Sequence, residues 1–174
     1  MTNLINKSIE NIPTLIKNNN NVIPVKLDTE SILNIQFGND DGALFNDYLN
    51  KYRSIRSIKA SDINTNNLNS LLANHKLLIV SFHMKSDTPW GNMNKKFSLK
   101  EQDILKTIDE HNNKILASFT NPYALSQINL KSYNSVVVGF QNNQEFQKII
   151  AQQIFGAKEI KGTLPVSIND TFKE

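Results

Sequence analysis

The chain contains no cysteine among its 174 residues. That absence excludes disulfides, thiolate nucleophiles and cysteine-ligated zinc, and it leaves the redox compartment open. Only three histidines occur, His75, His83 and His111, and they lie too far apart for a ligand motif, so no metal is expected. No stretch approaches the roughly 18–20 consecutive apolar residues of a membrane-spanning helix. Met1 to Asn11 has neither a long apolar core nor a small-residue cleavage site, so no signal peptide is expected. Charge of one sign is also lacking: 19 Lys and Arg stand against 16 Asp and Glu, a net charge of +3. Lysines alternate with acidic residues and form no block, so no nucleic-acid surface is expected.

What is present suits one globular domain over residues 1–174, with 39% apolar residues available for a core. Residues Ser8 to Asn21 read as an amphipathic or extended leading segment, and Val22 to Val25 as a short extended piece. Ser31 to Phe37 is the first convincing strand. Gly38-Asn39-Asp40-Asp41-Gly42 turns it into a helix over Ala43 to Tyr52, where Leu44, Phe45, Tyr48 and Leu49 share a face. Ile55 to Ile58 is a second strand, followed by a helix over Asn67 to Asn74. Leu77 to Phe82 is the third strand, an unbroken apolar run that implies burial on both faces. Ser98 and Glu101 form a capping box for a helix to about His111, expected to bury Leu99, Ile104, Leu105 and Ile108. Lys114 to Phe119 is a fourth strand, Asn121 to Ile128 a short helix, and Ser135 to Phe140 a fifth strand. A long helix runs from Asn143 to Phe155, and Leu164 to Ile168 suggests a final strand or tail.

Strands alternating with helices predict an α/β fold: a three-layer α/β/α sandwich, flavodoxin-like, around a mostly parallel sheet of five to six strands. The expected order of the five main strands is 2-1-3-4-5. Loops after the strand C-termini then share one edge: Gly38–Gly42, His83–Gly91, Thr120–Tyr123 and Gln141–Asn143. Their amides, carboxylates and hydroxyls, with Trp90 and Tyr123, could hold a sugar or another polar ligand, and they equally describe any solvated loop edge.

Sharper chemistries meet objections. A flavin or nucleotide phosphate needs backbone N–H groups in a Gly/Ser/Thr loop, whereas Asp40 and Asp41 would repel it. A phospho-receiver would hold Mg²⁺ on that acidic pair. It also needs an Asp after the third strand and a Lys after the fifth, where His83 and Gln141 stand. The two aspartates read instead as partners of a helix N-terminus. No Gly-x-Ser-x-Gly elbow accompanies His83, which reads as a hydrogen-bonded structural residue. Asp87 is the only carboxylate of its loop, and glycoside hydrolysis needs two.

The order of three motifs is distinctive. Thr14-Leu15-Ile16-Lys17-Asn18 with Ile23-Pro24-Val25 resembles the segment that opens the C-terminal domain of family-3 glycoside hydrolases. Ser135-Val136-Val137-Val138-Gly139-Phe140 resembles a later strand of that domain. Ala151-Gln152-Gln153-Ile154-Phe155-Gly156, with Gly162-Thr163-Leu164-Pro165-Val166, is similar to its closing signature.

The resemblance implies a domain whose catalytic (β/α)₈ barrel lies elsewhere, since a chain of this length cannot contain one. In the β-glucosidase branch the acid/base is a Glu in the loop after the strand matching Leu77–Phe82, and this chain has none there. That departure suits the bacterial β-N-acetylglucosaminidase branch, where the second domain is largely a packing partner. The resemblance thus implies no catalytic residue and no cofactor in this chain. His83, Asp87 and Trp90 would at most border a neighbour's cleft. The partners would be the barrel, a carbohydrate reached through the parent enzyme, and a second copy of the chain through an exposed docking face. The alternative is a free-standing flavodoxin-like module that binds a small ligand or a protein.

Overall fold

The computed structural model describes residues 11–85 and 97–162. Six strands form one sheet: β1 (Thr14–Asn18), β2 (Ile32–Gly38), β3 (Arg56–Lys59), β4 (Leu77–His83), β5 (Lys114–Phe119) and β6 (Ser135–Val138). Their spatial order is β1-β6-β5-β4-β2-β3. The five strands read from the sequence therefore lie in the expected order, and all four contacts between them are parallel. β1 is the addition. The leading segment is extended rather than helical from Thr14 to Asn18 and pairs antiparallel with β6, covering an edge that would otherwise be open.

Among the described residues, four α-helices cover the two faces: α1 (Ala43–Asn50), α2 (Leu68–Ala73), α3 (Leu99–Asp109) and α4 (Gln144–Ile154). The central strands are buried throughout. Every residue of β4 and of β5 is inaccessible, as expected of strands covered on both sides. Alternation decides which helix each side chain meets. Leu33, Ile35, Phe37, Leu78, Val80, Phe82 and Leu116 face α2 and α3, with Leu68, Leu72, Ile104 and Ile108 opposite. Ile32, Leu77, Ile79, Ile115, Ala117 and Phe119 face α1 and α4, meeting Phe45, Leu49, Phe146, Ile150 and Ile154. Each such side chain contributes about 1.5–3 kcal/mol by leaving water.

Several boundaries differ from the sequence reading. Leu99 is 80% exposed, not buried with Ile104 and Ile108. The reason is angular: five residues separate Leu99 from Ile104, about 140° round a helix at 3.6 residues per turn, so Leu99 faces away. The capping box itself forms, with Ser98 Oγ accepting from Glu101 N–H at 3.2 Å and Glu101 Oε2 accepting from Ser98 N–H at 2.9 Å. The short helix after β5 is a 3₁₀ helix over Pro122–Gln127. β6 stops at Val138, two residues early, because Phe140 takes φ 66° and cannot continue a strand. The suggested strand at Leu164 to Ile168 lies outside the described residues.

Candidate functional site

Parallel strands place the ends of β2, β4, β5 and β6 on one edge, where the sequence reading put the candidate loops. Of the three candidate cleft residues, the structure locates His83, the last residue of β4. Asp87 and Trp90 lie outside the described residues.

His83 is 1% exposed. Its ring stacks on Phe119, with centroids 4.6 Å apart and planes 14° apart, and Phe45 of α1 lies beside both, tilted to the imidazole at 5.7 Å and 5.0 Å from Phe119. Nδ1 donates to Asn142 Oδ1 at 3.0 Å. Asn142 Oδ1 can only accept, so the ring proton sits on Nδ1 and Nε2 is bare. Nε2 has no partner among the described residues. It faces Gly42, where an added Cβ would lie 2.6 Å from it. Burial pulls the imidazole pKa down from 6.5 to about 4, against the weaker upward pull of the Asn142 hydrogen bond and the Asp41 and Asp40 charges. At neutral pH the ring is uncharged. The ring is buried and hydrogen-bonded.

Asn142 is the hub of this edge. Its amide N–H₂ donates to Asp40 Oδ2 at 2.9 Å and to the Asp41 carbonyl at 3.1 Å. Its Oδ1 also accepts from Gln147 Nε2 at 2.8 Å. Gln147 in turn donates to the Asp41 carbonyl and accepts from Phe45 N–H, each at 2.9 Å. Two loops and two helices, from positions over a hundred residues apart, are thereby tied together beside His83. Asp41 alone plays the helix-terminus part expected of the pair: its Oδ1 accepts from Ala43 N–H at 2.9 Å, at the start of α1, whereas Asp40 Oδ1 accepts from Asp41 N–H. Partial burial raises the Asp40 pKa. The hydrogen bonds from Asn142 and the Asp41 N–H and the charge of Lys85 outweigh it, so the net shift is downward.

A second polar group lies deeper, between the sheet and α1. Asn34, fully buried on β2, accepts from Ser81 Oγ at 3.0 Å and donates to Asn46 Oδ1 at 2.7 Å. Asn46 Oδ1 also accepts from Ser57 Oγ at 2.8 Å and Gln36 Nε2 at 3.0 Å. The sequence reading missed this group and the Asn142–Gln147 pair. The available signal was Asn34 and Gln36, two amides alternating with Leu33, Ile35 and Phe37 in a strand otherwise built to be buried.

On the same edge a depression of about 530 Å³ is lined by Asn39, Asp40, Asp41, Lys59, Ser61 and Glu101, with Phe37 among its walls. Such walls offer hydrogen-bond donors and acceptors of both charges to a polar ligand. Among the described residues, no three His, Asp or Glu side chains gather as a metal site would require.

The same architecture occurs in solved structures. A fungal multi-domain family-3 β-N-acetylglucosaminidase superposes with TM-score 0.73 at 16% identity, over 97% of this chain and 19% of that one. The β-glucoside phosphorylase BglX gives TM-score 0.71 at 16% identity, over 96% of this chain and 31% of that one. A family-3 β-N-acetylglucosaminidase from Paenibacillus sp. str. FPU-7 gives 0.68 at 14% identity, over 97% and 32%. The chain has the fold of a family-3 glycoside hydrolase C-terminal domain. No known family's sequence profile matches it, and no curated protein matches it by sequence. The likeness to a family-3 domain is thus one of fold. This chain spans a third or less of those three structures.

Proposed function

We propose that this chain serves as the non-catalytic C-terminal α/β-sandwich domain of a family-3 glycoside hydrolase that cleaves β-linked N-acetylglucosaminides. The observation that carries the reading is the match of 96–97% of this chain to no more than 32% of much longer glycosidase-related structures. Two of those three are β-N-acetylglucosaminidases, which favours that substrate class.

The chemistry of the loop edge supports a supporting role. A glycosidase general acid must carry its proton near neutral pH. His83 is uncharged there and sealed from substrate, and the Asp40 carboxyl is held in its ionised form. Neither can protonate a leaving group. The domain would brace its barrel, with the loop edge towards the barrel's site. Leu99, at the start of α3 on that edge, and Tyr123 in the 3₁₀ helix after β5 are exposed apolar side chains that such a partner would cover.

The depression beside Asp40 keeps one other reading in play, a free-standing module that binds a small polar ligand. Activity is the test of the supporting role. The purified chain should release no chromophore from a chromogenic β-N-acetylglucosaminide above the buffer rate. Robust turnover that disappears in Asp87→Asn would show the loop after β4 to be catalytic and end the proposal.

A further inference from the structure

The network around His83 joins three segments that the sheet alone would leave separate: the loop after β2, the end of β4 and the loop after β6. Two backbone features show how tightly they are drawn together. Gly38 takes φ 108°, and an added Cβ there would lie 2.0 Å from the His83 carbonyl oxygen. Asp40 N–H donates to that same oxygen at 3.1 Å. Phe140 takes φ 66°, a strained conformation for a bulky side chain, just before the turn that presents Asn142.

We propose that His83 is the pin of an acid-sensitive latch, which holds the loops after β2 and β6 together when the ring is neutral and releases them when it takes up a proton. The proton comes from solvent and goes to Nε2, the bare nitrogen, leaving the Nδ1–H bond to Asn142 formally intact. Among the described residues, the slot has nothing to receive the new N–H. Nε2 faces the Gly42 backbone, and the nearby Gln36 amide nitrogen is itself a donor, to Asn46 Oδ1 and the Gly42 carbonyl. Phe119 stacks on the ring and Phe45 lies tilted beside it, and neither has a lone pair to accept the N–H.

Among the described residues, the charged groups near the ring are Asp40 and Asp41 on the loop after β2, with Lys85 on its own segment next to Asp40. α1, β5 and α4 present Phe45, Phe119 and Gln147, none of which titrates in this range. Both carboxylates already hold other donors: Asp40 Oδ2 binds Asn142, and Asp41 Oδ1 binds Ala43 N–H. In the released form the loop that carries them turns from Asn142 towards the imidazolium.

The direction follows from where the proton binds more readily. The opened form has an ordinary histidine near 6.5, and the closed form binds the proton only near 4. Closure is therefore fully favoured above about pH 6.5 and weakens as the pH falls towards 4. Between pH 7 and pH 5 the opening equilibrium rises about twentyfold by linkage.

Amide hydrogen exchange read by mass spectrometry on the full chain, corrected for the intrinsic pH dependence, tests this. Peptides covering 38–45 and 139–147 should lose about twentyfold in protection between pH 7 and pH 5, while those covering 77–82 and 114–119 keep theirs. His83→Gln cannot gain the charge and should show no such loss. An unchanged wild type overturns the latch, as does an equal loss in the variant or a simultaneous loss in the core peptides. If the variant does not fold, NMR of the wild-type chain decides: backbone amide signals of 38–45 and 139–147 that change together with the His83 ring titration uphold the latch, and a ring titration that leaves them unchanged overturns it.

Discussion

Gly38→Ala should destabilise the domain by about 4 kcal/mol, at the upper end of single-substitution effects. Two penalties coincide. The φ of 108° lies in a region that side-chain-bearing residues rarely enter, a cost of about 1–3 kcal/mol. The new methyl would also sit 2.0 Å from the His83 carbonyl oxygen and 2.8 Å from its carbonyl carbon. Both are backbone atoms of the central strand β4, which has neighbours on either side and no room to retreat. Relief would have to come from the loop after β2, at the expense of the Asp40 N–H bond to that oxygen and the contacts to Asn142. Urea unfolding followed by circular dichroism measures the loss. A change below about 1 kcal/mol would mean that this loop yields easily and that its tight approach to β4 matters little.

Phe45→Ala should cost about 3–5 kcal/mol by the same measurement. Phe45 is fully buried on α1 and meets Phe119 at 5.0 Å and the His83 ring at 5.7 Å. Truncation removes the transfer energy of a benzyl group and leaves a void that α1 cannot close. The backbone of residue 45 is tethered to Gln147, and Asn46 beside it is tethered to Asn34, Gln36 and Ser57. Phe45→Leu keeps most of the volume and should cost well under half as much. Equal losses for the two variants would show that the aromatic stack, rather than the filled volume, holds this corner.

How far the sequence foretold these features depends on how local their causes are. β4 is legible because the apolar run Leu77 to Val80 suits a strand covered on both faces, and the alternation of strands with helices points to a parallel order. β1 was harder to read. Thr14 to Asn18 is only half-buried, and what makes it a strand is the exposed edge of β6, more than a hundred residues away. Leu99 misled because apolar character was counted without its angle round the helix. The capping box beside it was legible because its two residues lie three apart. For the site, the missing Gly-x-Ser-x-Gly elbow led to the expectation that His83 is hydrogen-bonded, and its ring does bond Asn142. The partner that fixes it, Asn142, lies 59 residues on, and Gln147 reaches back 102 residues to Phe45. Amides carry no pattern that would reveal such pairings, and only the folded sheet edge brings them together.

The most direct test of a family-3 parent is the mass and sequence of the polypeptide in which the chain is made in its own cell. A family-3 hydrolase requires several hundred further residues ahead of Met1, forming the barrel, in keeping with structures at least three times as long as this chain. Finding that barrel in the same polypeptide is the expected result. A polypeptide of 174 residues beginning at Met1 would contradict the account and leave a free-standing module in its place.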